Sequence, residues 1–146
     1  MKTITPFHLA IPVRDIDEAR DFYTNVLHCE VGRSSSDWVD LNLYGHQLVC
    51  HLDTELGSQG RIQHHVFPKH GHGVIPVPHY GVVLEMEKWL ALSVELTDKV
   101  EFILSPAVRL EGEPGEQASM LFYDPSGNAL EFKTLSDIEK HLFATE

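Results

Sequence analysis

The spacing of apolar and polar residues changes along the chain, and the changes mark out its elements. Residues 7–13, FHLAIPV, alternate faces, which predicts a strand with Phe7, Leu9 and Ile11 on one side and His8 and Ala10 on the other. Pro12 puts this strand at an edge or near its end, because proline has no N–H for a ladder. Beyond it the period lengthens. Ile16, Ala19, Phe22, Tyr23, Val26 and Leu27 recur at helical spacing and predict an amphipathic helix that ends near His28 or Cys29. Asp15 is placed to cap it, with Glu18 three residues later as in a capping box. Short strand-like runs return near 30–33, 38–43 and 46–52, with Gly45 marking a turn between the last two.

The second half repeats that order. HYGVVLEM from His79 predicts a strand, and EKWLALSVELTDK a helix with Trp89, Leu92 and Leu96 on one face. VEFIL predicts a strand, SPAVRLEGEPGEQ a loop or frayed strand, and ASMLFYD with ALEFKT a hairpin across the DPSGN turn. Between the halves, residues 53–78 hold four glycines, three prolines and four histidines with little periodicity, which predicts a linker or a lid. The expected organisation is one domain with a first module at about 1–53, a linker at about 54–77 and a second module at about 78–146.

Composition narrows the function classes. A net charge of -11 argues against a phosphate-backbone partner and against an anionic membrane surface. No stretch approaches the ~20 apolar residues of a membrane span. The opening MKTITPFHLA lacks the pattern of a secretory signal, and the only cysteines are Cys29 and Cys50, so a cytoplasmic protein is expected.

One residue does not fit its apolar strand. Glu131 stands between Leu130 and Phe132, and alternation puts it on the face opposite to both, with Ala129 and Lys133. His8 and His79 fall on the corresponding faces of the two opening strands, beside Ala10 and Gly81. Two imidazoles and a carboxylate on rigid strands, with small neighbours leaving room, suit a divalent metal with open positions. The plainer reading is two hydrogen-bonded strand histidines and a Glu131–Lys133 surface pair.

HLAIPVRDIDEARDFYTNVL, PHYGVVLEM and DPSGNALEF together resemble the vicinal oxygen chelate superfamily of glyoxalase I, fosfomycin-resistance enzymes, extradiol dioxygenases and bleomycin-resistance proteins. The resemblance covers nearly the whole chain. It implies an α+β fold of two βαβββ modules, each a curved half-sheet around a metal cleft. The family's metal positions fall on His8, His79 and Glu131. It further implies one divalent ion, with Fe(II) or Mn(II) favoured over Zn(II) or Ni(II), a small-molecule substrate and a homodimer.

The departures from the family pattern matter as much. The fourth ligand of glyoxalase I falls on Val49, so an isomerase of that design is disfavoured, while His51 lies two residues on along the same face. The extradiol tyrosine position holds Leu121, no histidine lies between Arg109 and Tyr123, and Tyr123 or His51 would have to act instead. The threonine of the fosfomycin enzymes falls on Ala10. The resulting expectation is a metal-dependent, dioxygenase-type enzyme acting on a substrate that chelates through vicinal oxygens. The alternatives are a glyoxalase-type isomerase or lyase, and a metal-free small-molecule binding protein of the resistance type. The His-rich run HHVFPKHGHG within the linker is a candidate lid or second metal site, with a solvated loop as the plainer reading.

Overall fold

A computed structural model describes residues 3–68, 73–109, 112 and 116–145. The chain falls into two compact units, Met1–Gln63 with Asp124–Asn128, and His64–Tyr123 with Ala129–Glu146.

The first unit is built on a four-stranded sheet. Its strands are β1 (His8–Val13), β2 (Glu30–Ser34), β3 (Trp38–Leu43) and β4 (His46–Leu52), in the order β1-β4-β3-β2. β1 runs parallel to β4, and the other pairs are antiparallel. Helix α1 (Ile16–Asp21) starts where Asp15 accepts the Glu18 N–H at 2.8 Å. Only half of the expected capping box forms, because the Glu18 carboxylate pairs with Arg14 at 2.7 Å instead. The helix widens into a π-helical turn over Phe22–Val26. Ile11, Val13, Ile16, Ala19, Tyr23, Leu41, Leu48 and Cys50 form the buried side of this unit. The β3–β4 turn is made by Tyr44 and Gly45, both at positive φ, which matches the right-handed twist of a tight hairpin.

The second unit repeats the wiring. Residues 80–84 run parallel to β9 (Ala129–Leu135) through bridges Tyr80–Leu130 and Val83–Lys133. β9 pairs antiparallel with β8 (Gln117–Tyr123), and β8 with β7 (Glu101–Arg109). Helix α2 (Met86–Leu96) buries Trp89, Leu92 and Leu96, the face its spacing predicts, and the Trp89 indole N–H donates to the Phe132 carbonyl at 2.8 Å. In both units, then, an opening extended segment lies parallel to the last strand of its own module.

Four features differ from the sequence expectation. The segment from His79 is held to β9 by isolated bridges rather than a full ladder, and Met86 already belongs to α2. The expected linker contains an antiparallel hairpin, β5 (His65–Pro68) with β6 (Val74–Val77); its four-residue strands carry Pro68 and Pro76, which hide any period. β7 continues past Pro106 to Arg109, with register shifts between Phe102 and Leu104 and between Leu104 and Ala107, and such bulges are where a strand tolerates proline. A short helix, α3 (Ile138–His141), follows β9 under an Asp137 cap. Of the His-rich run, His70 and His72 lie outside the described residues.

Candidate metal site

In the second unit the structure brings His79 and Glu131 together. The close approach of their backbones depends on Gly81: a Cβ there would lie 1.8 Å from the Glu131 carbonyl oxygen and 2.9 Å from Phe132 Cδ1. With that obstacle absent, the Glu131 N–H donates to the Tyr80 carbonyl at 2.8 Å, and the Lys133 N–H to the Val82 carbonyl at 3.2 Å. His79, one residue before Tyr80, reaches across so that its Nε2 lies 2.8 Å from Glu131 Oε2. Both side chains are largely shielded, at 21% and 10% exposure.

The outer contacts orient this pair. His79 Nδ1 lies 2.8 Å from the Pro76 carbonyl. A carbonyl can only accept, so Nδ1 carries the hydrogen and Nε2 is the nitrogen offered to Glu131. The other carboxylate oxygen, Oε1, accepts the Ser119 hydroxyl at 2.7 Å. A neutral imidazole nitrogen and a carboxylate oxygen are both acceptors, so a separation of 2.8 Å requires a proton or a cation between them. One imidazole nitrogen and one carboxylate oxygen are also the donor types that would hold a divalent ion. Lys133, the surface partner of the plainer reading, is not what holds Oε1.

His8 stands in the first unit. Its Nδ1 is 2.7 Å from Gln47 Oε1, its register partner on β4, an arrangement that again leaves Nε2 as the outward nitrogen. Counting from the parallel pairs, Leu9–Leu48 in the first unit corresponds to Tyr80–Leu130 in the second, so Val49 is the counterpart of Glu131. Val49 is buried and apolar, and no carboxylate occupies that position. His51 shares the face of His8 and Val49 but pairs with Pro12, four residues along β4 from Gln47, which is about 13 Å. It is exposed and lines a groove with Ala10, Pro12, Asp53 and Glu55. Tyr123 lies on the face of Glu131, two residues beyond Leu121, which sits opposite Glu131 in the β8–β9 register. Among the described residues, no group of three or more His, Cys, Asp or Glu side chains is positioned to hold a metal ion; the donors found together are the pair His79 and Glu131.

Sequence reading missed Ser119 and Gln47, because neither belongs to a ligand motif. The signal available for Ser119 was its place on the strand paired with the one carrying Glu131. The two cysteines are not reactive candidates. Both are buried, and burial pushes the Cys29 thiol up to about 12 and the Cys50 thiol up as well, which keeps them protonated and inert.

Comparison with known proteins agrees with this architecture. The profile of the glyoxalase/bleomycin resistance protein/dioxygenase superfamily matches residues 5–132. A crystal structure of a glyoxalase/bleomycin resistance protein/dioxygenase from Alicyclobacillus acidocaldarius is 33% identical, covering 92% of this chain and 94% of its own, with a TM-score of 0.69. A genomically encoded fosfomycin resistance protein from Listeria monocytogenes is 18% identical over 92% of this chain and 93% of its own, with a TM-score of 0.63. A lactoylglutathione lyase from Agrobacterium tumefaciens is 13% identical over 91% and 95%, with a TM-score of 0.59. The last two likenesses concern the fold. Among curated proteins none matches the chain. No described helix is long and apolar enough to cross a membrane.

Proposed function

The chain belongs to the glyoxalase/bleomycin resistance protein/dioxygenase superfamily, and from that premise we propose a metal-dependent enzyme acting on a small substrate that chelates through two vicinal oxygens, with dioxygenase-type chemistry. The observation that carries the reading is the 2.8 Å approach of His79 Nε2 to Glu131 Oε2, with both outer atoms already tied to Pro76 and Ser119. His79 and Glu131 would hold the ion, and His8 is the third ligand on the family resemblance. Fe(II) or Mn(II) suits such a donor set. A homodimer in the cytoplasm belongs to the same proposal.

A divalent ion bound there would supply Lewis acidity and positions for a chelating substrate. The chain's own residues do the rest. The Pro76 carbonyl fixes the tautomer and the plane of the His79 ring. Leu121, fully buried opposite Glu131, keeps water from that side of the carboxylate. Tyr123, on the same face, offers a hydroxyl that can pass a proton to or from a substrate oxygen. At the position of the glyoxalase fourth ligand stands the buried, apolar Val49, which offers no carboxylate base there.

The test is metal content by elemental analysis of untagged protein purified without oxygen, followed by oxygen uptake with catechols. About one Fe or Mn ion per chain is expected, and it should be lost in His8→Ala, His79→Ala and Glu131→Ala alike. Stoichiometric Zn or Ni without oxygen uptake would replace dioxygenase with glyoxalase-type chemistry. A wild-type protein that takes up no metal after reconstitution would leave a metal-free binding protein.

A further inference from the structure

We propose that the β5–β6 hairpin is a docking arm that lies on the outer face of helix α2 in a second copy of this chain. This gives the homodimer put forward above its surface, and it does not depend on the metal reading.

The hairpin stands as a sheet of two strands, and a ribbon that small has too little apolar contact of its own to be stable in water. Paired residues share a face. Phe67 with Ile75 and His65 with Val77 lie on one side, and Val66 with Pro76 and Pro68 with Val74 on the other. Val66, Phe67, Val74 and Val77 are all exposed, so both sides offer apolar surface to water. Helix α2 carries a matching feature. Its inner residues Trp89, Leu92 and Leu96 are buried. On the opposite side Glu87, Leu90, Ala91 and Val94 follow i, i+3, i+4, i+7 spacing and form one outward row. Leu90 is 47% exposed and Val94 74%. A helix packed on a sheet needs a single apolar stripe; α2 has a second, and it is uncovered. Hairpin and helix belong to the same unit, and each is exposed within it, so they do not cover one another in one chain.

Charge says what covers them. Residues 64–84, which include the hairpin, contain no Asp or Glu, although the chain has 22; they hold Lys69 and five histidines. The outer row of α2 is the reverse. It begins with Glu87, runs toward Asp98 one turn beyond Val94, and includes no Lys or Arg, since Lys88 falls to its side. An apolar surface with basic neighbours thus fits an apolar surface with acidic ones, and such complementarity selects a partner while rejecting like-charged surfaces. Both surfaces occur on every copy. Two copies related by a twofold axis can each lay an arm on the other's helix, which satisfies both contacts in one closed dimer.

The test is sedimentation of the full-length protein at micromolar concentration. Two variants change exposed residues only. Val66→Glu with Phe67→Glu puts a carboxylate on each side of the arm, and Leu90→Lys with Val94→Lys makes the helix row basic. Wild type is expected to be a dimer, and each variant alone to have its dimer Kd raised about tenfold or more. The two variants mixed in equal amounts are expected to form a heterodimer, because one of its two contacts is unaltered and the other sets Glu against Lys. A mixture that stays monomeric while both chains keep native circular dichroism would overturn the contact of arm with helix. A wild-type dimer that neither variant weakens would overturn it as well and place the interface elsewhere. A monomeric wild type would overturn the proposal outright, and its cosedimentation with phosphatidylserine vesicles would give the arm to an anionic membrane instead. None of these outcomes touches metal content, so the enzyme reading stands or falls by its own test.

Discussion

Asp124 gathers four donors onto two oxygens. The Tyr23 hydroxyl reaches it at 2.8 Å, and the Ser126 N–H, Asn128 N–H and Asn128 side-chain amide at 2.9 Å each. These bonds favour the ionised form, yet burial outweighs them and raises the carboxyl above its ordinary 3.8. The sign for stability follows: the folded state binds the proton more tightly than the unfolded state, so the group's contribution is complete below 3.8 and declines as pH rises through the folded value. Urea unfolding of wild type and Asp124→Asn across pH 3.5 to 7 should show wild type losing ground against the variant as pH rises; a parallel pair of curves would contradict this. Removing the buried Tyr23 hydroxyl as Tyr23→Phe should lower stability by about 1.5–3 kcal/mol, as for a hydrogen bond to a charged group. The DPSGN stretch was legible as a turn. The buried role of Asp124 was not, because its Tyr23 partner is 101 residues away. Gln47 was hidden for a similar reason, since its contact with His8 needs the parallel register of two strands. Gln47→Leu should weaken metal binding about tenfold or more while Gln47→Glu preserves it, as read by competition with a chelator.

Elements were easiest to read where one period ran long enough. α2 shows its buried face of Trp89, Leu92 and Leu96 in sequence because eleven residues give three turns of a single pattern. The β5–β6 hairpin has four-residue strands, too short for alternation to register. The 80–84 segment reads as a strand by alternation, but its attachment to β9 turns on one missing side chain. Gly81→Ala would set a Cβ against the Glu131 carbonyl and force the segment away, at a cost of about 1–3 kcal/mol as in other overpacked sites. The same displacement would carry His79 from Glu131. Thermal unfolding and metal affinity should therefore fall together in this variant; a loss of stability with unchanged metal affinity would mean that His79 does not depend on the segment.

At the scale of the molecule, duplication is clearest in connectivity. Each unit places an opening segment parallel to its last strand, β1 on β4 and 80–84 on β9, and the rest antiparallel. Sequence carried this as an order of elements, with little identity between halves, because many side chains satisfy the same alternation. The candidate site followed suit: faces and side-chain types could be read along single strands, and the oxygen and nitrogen atoms that meet could not.

One feature of the first unit also bears on how it forms. Its last piece, Asp124–Asn128, comes from far along the chain. Asn128 donates to the Pro12 carbonyl across 116 residues, and the Arg14 N–H to the Ser126 hydroxyl across 112. Closing such loops before any contact compensates the lost entropy makes folding slow. A chain ending at Gln63 leaves Tyr23 and Arg14 without these partners and should remain loosely packed, with poorly dispersed amide resonances. The first unit thus begins the chain, yet its folding waits for a piece supplied more than a hundred residues later.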